Sequence, residues 1–458
     1  MDWLTLAKEK ELELIENLRG ILAIPSLLDE DKATEKAPFG PEIRRALDHM
    51  LNMAKMDGFK VTDVDGYAGI IEYGEGDEII GVLGHLDIVP IGEGWSKDPF
   101  AGEIDKGYIF GRGAIDDKGP TIAAYEALKI FKEQNIQTNK KIYLILGCDE
   151  ETGMRCMDYY KKHAPIPARG FVPDADFPVI YGEKGILNVE LKANTTTVIK
   201  KLVAGERPNI VIGRASATVS GKAHKELFEF YLSVNQLTGT VEEVGMETTY
   251  SIEGVFAHGA TPQFGVNSAV HLLNFIGTAY QDEFAKTFAQ LLSDYRGTKL
   301  NIDFNGAHMG ELTMNVGIVK IEDQKEAITL DIRYPNDTSF ETIMENIKQS
   351  VQTASFPIQV EVLAHKGPLF NDPNSELIKI LDSSYRKYSG DNFSPLKTMG
   401  GGTYARSFEN FAAFGPEFTH EPIPSFVGAP HQKDEAAKIE DLVKACAIYA
   451  DAMYQLTR

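Results

Sequence analysis

Five short segments concentrate side chains that bind metal ions or move protons. They are Gly84-His85-Leu86-Asp87, Gly111-Arg112-Gly113-Ala114-Ile115-Asp116-Asp117-Lys118-Gly119, Gly147-Cys148-Asp149-Glu150-Glu151-Thr152, Pro173-Asp174-Ala175-Asp176 and Pro430-His431. Two imidazoles among several carboxylates suit borderline-hard divalent ions such as Zn²⁺, Co²⁺ or Mn²⁺. The adjacent pair Glu150-Glu151 matters most, because one carboxylate can bind metal while its neighbour stays free to carry protons. Two ions roughly 3.5–4 Å apart can share a carboxylate and generate a nucleophile near neutral pH. Asp87, two residues beyond His85, is placed to orient that imidazole. Each segment alone has an ordinary structural use. Asp-Asp before a helix caps it, Glu-Glu lies on a solvated face, and Pro-Asp-Ala-Asp makes a turn. Their joint occurrence is what points to chemistry.

The surrounding elements are those that could bring the segments together. Ile79-Ile80-Gly81-Val82-Leu83 and Ile142–Leu146 read as buried strands, as does a β-branched stretch near Val61. A helix is predicted over 120–134. Leu14, Ile15, Leu18, Ile21 and Leu22 give another over 14–22, and a third runs from Pro41, a tolerated first position, to about Met56. Alternation of buried strands and helices predicts an α/β domain around a mostly parallel sheet. Ligand sites in such sheets gather beyond the carboxyl ends of the strands, where these motifs fall.

After about residue 186 strands alternate strictly, as in Ala327-Ile328-Thr329-Leu330-Asp331-Ile332-Arg333-Tyr334, with helices over 267–280 and 338–350. This predicts an α+β domain with one covered sheet face. The α/β texture returns after about 367, with helices near 374–388 and 435–456. The expected organisation is therefore a discontinuous α/β catalytic domain (1–186 and 368–458) carrying an inserted α+β lid (187–367).

Composition narrows the functional classes. The 458 residues are 43% hydrophobic and 25% charged, a globular balance. With 46 Lys plus Arg against 67 Asp plus Glu, the net charge of −21 disfavours nucleic acid and anionic membrane surfaces as partners. No apolar run reaches the ~18 residues of a membrane span. The acidic N-terminal stretch does not read as a secretory signal. Three cysteines, Cys148, Cys156 and Cys446, suit a reducing compartment. A cytoplasmic protein is expected.

These motifs resemble the M20 metallopeptidases, a clan of aminoacylases, bacterial di- and tripeptidases and glutamate-releasing carboxypeptidases. Within it the similarity is greatest to the bacterial dipeptidase PepV group. Gly84 through Pro90, with Gly94-Trp95 and Asp98-Pro99-Phe100, resembles the group's first motif. Gly111 through Pro120, Asp149-Glu150-Glu151 and Pro173-Asp174-Ala175 resemble the next three. The resemblance implies two divalent ions, Zn²⁺ foremost, with Mn²⁺ or Co²⁺ as alternatives. By it, His85 and Asp174 bind one ion, Glu151 and His431 bind the other, and Asp116 bridges them. Glu150 is then the general base, and Asp87 holds His85. His258, in Gly254-Val255-Phe256-Ala257-His258-Gly259-Ala260, resembles the histidine that reaches toward the scissile carbonyl. Arg333 resembles the family's carboxylate-binding arginine, although its place in an alternating strand equally suits an ion pair. Gly401 and Gly402, in Gly400-Gly401-Gly402-Thr403, resemble a loop whose amides face the substrate carboxylate. Asn209 resembles a further lid contact.

The lid of roughly 180 residues resembles the enlarged lid of the PepV group, which implies a monomer with His258 acting in its own chain. The expected function is hydrolysis of dipeptides with a free N-terminus. One competing expectation is another amide substrate on the same centre, as in N-acyl amino acid deacylases or succinyl-diaminopimelate desuccinylases. A non-catalytic binding module is the third, and it would lack the base or a ligand. Cys148 and Thr152-Gly153-Met154 depart from the group's usual residues beside the base, which leaves substrate preference open.

Overall fold

The computed structural model describes residues 1–322 and 325–458. The chain divides into two compact units. One comprises Met1–Tyr181, Asn371–Lys397 and Gly402–Arg458; the other comprises Gly182–Phe370 and Thr398–Gly401.

The first unit is built on a mixed sheet. Its strands run in the order Lys60–Val64, Ala68–Tyr73, Lys141–Gly147, Ile79–His85, Arg169–Val172, Phe411–Ala413. The last four of these are parallel to one another, while Lys60–Val64 and Ala68–Tyr73 form an antiparallel margin. Ile79–His85 and Lys141–Gly147 are buried along almost their whole length, as strands covered by helices on both faces must be. The register pairs His85 with Gly147. The first and third motifs thus leave the sheet side by side at one edge.

Helices follow from the apolar stripes. Glu11–Leu22 and Pro41–Met56 bury the residues that carry the predicted periodicity. Lys118–Glu133 is buried nearly all round, including Gly119, Ile122, Ala123 and Leu128, because it lies against both strand Ile79–His85 and helix Ile439–Leu456. Small residues permit that approach: a Cβ on Gly119 would overlap the Ala114 carbonyl. Some elements differ from expectation, among them helices Arg155–His163, Lys225–Asn235 and Glu283–Leu291, which it did not include. A first helix, Trp3–Glu9, is capped by Asp2 accepting from Thr5 N. Residues 436–438, assigned to the last helix, instead form the strand Ala436–Lys438 paired with Tyr108–Phe110. Tertiary pairing overrides the helix propensity of Ala-Ala-Lys there.

The second unit is an eight-stranded sheet with every pairing antiparallel. Its order is Thr238–Val244, Glu247–Glu253, Arg214–Ser220, Ile199–Ala204, Thr313–Glu322, Lys325–Tyr334, Gly185–Ala193, Ile358–Lys366. In Gly185–Ala193 alternate residues are fully buried. Leu187, Val189 and Leu191 join a core completed by Leu272, Leu273 and Ile276 of Ser268–Ala279 and by Ile343 and Ile347 of Phe340–Val351. One covered face is the arrangement that period-two alternation predicts.

Candidate active site

Three parallel strands deliver ligand-type residues to one edge of the first sheet. Ile79–His85 ends in His85, which is fully buried. Its Nδ1 lies 2.9 Å from the Asp87 carbonyl. A carbonyl only accepts, so Nδ1 carries the proton and the Nε2 lone pair faces the opposite way. There it meets two carboxylates, Asp116 Oδ1 at 2.9 Å and Asp174 Oδ2 at 3.8 Å. Asp174 follows the strand Arg169–Val172. The other oxygen of Asp116, Oδ2, lies 2.9 Å from His431 Nε2. Glu151 Oε1 stands 3.2 Å from that same nitrogen.

Two donor sets result, His85–Asp116–Asp174 and Asp116–Glu151–His431, with the donor atoms of each set within 4.8 Å of one another. They share only Asp116, one oxygen turned to each histidine.

The residues fit divalent cations. Glu151 Oε1 is buried with no donor near it among the described residues other than His431 Nε2. Burial, together with the nearby Asp116 and Asp117 carboxylates, pushes the Asp174 carboxyl well above the ordinary carboxylate range. Burial and the Glu151, Asp116 and Asp87 carboxylates do the same to Glu150. Glu151 is raised by burial and by Asp116. His431 is raised to about 10 by its contacts with Asp116 and Glu151. Acids crowded this way, facing imidazole nitrogens, lack positive charge that two hard or borderline cations would supply.

Asp87 has two sets of partners. Its backbone carbonyl accepts from His85 Nδ1 at 2.9 Å, and one carboxylate oxygen lies 3.5 Å from the same nitrogen. The carboxylate also accepts from the amides of Glu150 (3.0 Å) and Glu151 (3.1 Å). Asp87 thereby fixes the first and third motifs to each other. Nor is Asp117 a cap by its side chain. Its Oδ2 accepts from His85 N and Thr121 Oγ1, both at 3.0 Å. Gly84 leaves room for this, since a Cβ there would overlap Thr121 Oγ1.

The sequence reading missed the residues that join the loops. Arg112 and Glu435 form a fully buried ion pair. Arg112 also donates to the carbonyls of His431 (3.2 Å) and Gln432 (3.1 Å). Glu435 Oε1 accepts from Gly113 N (2.9 Å) and Ile115 N (3.2 Å). The loop carrying Asp116 is thus bonded to the loop carrying His431. Lys118 likewise donates to the carbonyls of Ile21 and Ile24 at the end of helix Glu11–Leu22. The available signal was the clustering of these charges inside the motifs; nothing local marks them as buried.

The remaining candidates lie in the second unit, except Gly402, which belongs to the first. The Asn209 carbonyl accepts from Gly259 N at 2.7 Å, and Ile210 bridges His258. A Cβ on Gly259 would press on Asp331 Oδ2 and the Asn209 backbone. Asp331 grips Arg333 through Nε at 3.0 Å and a terminal nitrogen at 2.9 Å, and Arg333 donates to the Gly400 carbonyl at 3.1 Å. Asn209, His258, Arg333 and the start of the Gly400-Gly401 stretch are therefore neighbours. His258 Nδ1 accepts from Ala260 N at 3.1 Å, so the neutral ring carries its proton on Nε2, as a donor to an oxyanion requires. Arg333 is buried rather than a surface residue. Its ion pair with Asp331 leaves one N–H on each terminal nitrogen, among the contacts of the described residues.

Residues 81–455 match the family model Peptidase family M20/M25/M40. The chain belongs to this family. It is accordingly a metallopeptidase, and its family is metal-dependent. A Staphylococcus epidermidis protein named "Putative dipeptidase" is 37% identical over 472 residues, covering 99% of each chain. "Putative dipeptidase YtjP" of Bacillus subtilis is 36% identical over 474 residues, covering 100% of each. The fold is similar to that of human carnosine dipeptidase 1, with a TM-score of 0.58 at 13% identity over 100% of this chain and 99% of that one. It is equally similar to the dipeptidase Dug1p of Saccharomyces cerevisiae, TM-score 0.58 at 13% identity over 100% and 98%. No helix among the described residues is long and apolar enough to cross a membrane.

Proposed function

We propose that this metallopeptidase is a dinuclear dipeptidase hydrolysing short peptides with a free N-terminus. The observation that carries the reading is the division of Asp116: one oxygen faces His85, the other faces His431, and Asp174 and Glu151 complete the two sets. His85 and Asp174 would hold one ion, Glu151 and His431 the other, with Asp116 between them. Zn²⁺ suits this donor set first, and Mn²⁺ or Co²⁺ also fit. When bound, the ions supply Lewis acidity and lower the pKa of water.

Glu150 takes the proton from the attacking water and returns it to the leaving amine. Burial and the neighbouring acids raise its carboxyl above the ordinary carboxylate range, which favours its holding the proton between the two transfers. Asp87 keeps Glu150 in place by accepting a hydrogen bond from its backbone amide. His258, with its proton on Nε2, is assigned to the developing oxyanion. The remaining N–H groups of Arg333 suit the substrate carboxylate, which a guanidinium fork binds in two-point fashion. Gly401, Gly402 and Asn209 are assigned to the same terminus. The protein is proposed to act as a monomer in the cytoplasm, a reading supported by the enlarged lid and by the cysteine usage.

The curated relatives favour a dipeptide over an N-acyl amino acid as substrate. Turnover of alanyl-alanine against N-acetyl-alanyl-alanine by the metal-loaded chain tests this. Efficient cleavage of the free dipeptide alone is expected; preference for the acetylated compound would contradict it.

A further inference from the structure

Next to the two donor sets, within the same unit, lies a cavity of about 460 Å³. Its wall includes Ile115 and Pro430, the residues immediately before Asp116 and His431. Much of the wall is apolar or aromatic, with Tyr108, Phe418, Val427 and Leu442. Four charged side chains also face it: Glu417, Glu421, Lys438 and Asp441. Lys438 is already committed, bonding Glu421 at 2.5 Å and Asp441 at 3.4 Å.

Glu417 is the unpaired member. It is half-buried, and its carboxylate has no hydrogen bond or ion pair among the described residues. Lys397, whose charge favours the ionised form of Glu417, is taken by Asp176 at 3.0 Å. Burial and the acids Asp176 and Asp116 push the Glu417 carboxyl up to about 7. A carboxylate in an apolar wall without a counter-charge is costly to the free protein and is relieved by an incoming cation. The volume exceeds what an ammonium group alone needs and suits a long side chain. An aliphatic stem would lie on the apolar wall while its charged head meets the acid.

We propose that this cavity is a side-chain subsite selecting dipeptides with a basic residue, and that Glu417 receives the ammonium or guanidinium head. The inference deepens the dipeptidase reading and rests on it. The subsite would give this chain a preference that its metal centre, indifferent to side chains, does not provide.

The test uses the full metal-loaded chain and four dipeptides: lysyl-alanine, norleucyl-alanine, alanyl-lysine and alanyl-norleucine. Norleucine keeps the stem and lacks the charge. The subsite predicts a kcat/KM ratio of lysine over norleucine of tenfold or more in one of the two pairs. The pair that shows it identifies which residue of the dipeptide enters the cavity. Glu417→Gln should bring that ratio close to one, while Glu417→Asp retains part of it, so that the measurement survives poor folding of either variant. A native ratio near one in both pairs, or a ratio unchanged by both substitutions, overturns the subsite alone when the norleucine dipeptides are cleaved. If the native enzyme cleaves none of the four, the dipeptidase reading fails and the subsite falls with it.

Discussion

Glu150 and Glu151 are adjacent in sequence and proposed to serve opposite uses. Glu151 turns toward His431. Glu150 is held by its amide to Asp87 and takes no part in either donor set. Replacing Glu150 with Ala should therefore leave two ions bound and lower kcat by about 10²–10⁴-fold, the usual contribution of positioned proton transfer. Steady-state rates together with metal analysis of the same sample check this; loss of both metal and activity would mean that Glu150 is a ligand. Glu435 bears a different kind of load, because it neutralises buried Arg112 and accepts from the amides of the Asp116 loop. Glu435→Ala strands a buried guanidinium, which should cost roughly 3–5 kcal/mol in chemical denaturation. Equal stability of the variant and the native chain would remove the pair from this account.

Among elements, the strand ends do most of the positioning. The parallel register of Ile79–His85 with Lys141–Gly147 sets His85 beside the Glu150-Glu151 turn, and Asp87 ties the two together. In the second unit, strand Lys325–Tyr334 holds Asp331 and Arg333 on one face, two residues apart, and the acid orients the guanidinium. For Arg333→Lys the expected result is a KM raised about tenfold or more on dipeptides with a free carboxylate, since a lysine cannot reproduce the fork. The same substitution should change KM much less on amidated dipeptides. Equal effects on both, in paired Michaelis–Menten measurements, would argue for a structural role only.

Across the whole molecule, proton and metal binding are opposed. His85 and His431 are raised above the ordinary histidine value, His431 to about 10, and Glu150, Glu151 and Asp174 are raised above ordinary carboxylates. Between about pH 5 and 9 these groups bind more protons in the folded, metal-free chain than in the unfolded one. The slope of unfolding free energy with pH is then negative for them. The histidine contribution is fully present below the unfolded histidine value and is lost as pH rises through the folded one. The raised carboxyls add a penalty that also grows with pH. Thermal unfolding of the chelator-treated chain should thus show a falling Tm from pH 5 to 9. The Tm gain on adding Zn²⁺ or Mn²⁺ should widen over the same range. A metal-induced gain that shrinks with rising pH would contradict the donor sets.

How much of this was readable from the chain alone depends on distance along it. His85, Glu151 and Asp174 stood out because each lies at or just beyond the end of an apolar strand, and Asp116 because it shortly precedes a helix; His431 lies in a turn, and only the family resemblance pointed to it as a ligand. Helix Pro41–Met56 was legible because its apolar stripe and its proline agree. Arg112 and Glu435 were not, since 323 residues separate them and a charged side chain gives no local sign that it is buried. The Asp331 grip on Arg333 was hidden for a related reason: residues i and i+2 share a strand face, but sequence does not say whether that face is open. Helix Trp3–Glu9 buries only Trp3 and Ala7, too few positions to show a period.

The central claim is that two cation sites share Asp116. Binding of Mn²⁺ or Zn²⁺ to the chelator-treated chain, followed by calorimetry and by elemental analysis after dialysis, measures it most directly. The account predicts two equivalents per chain for the native protein, one tight equivalent for His85→Ala or His431→Ala, and marked weakening of both for Asp116→Ala. A single equivalent in the native chain, or two that survive Asp116→Ala undiminished, would contradict it.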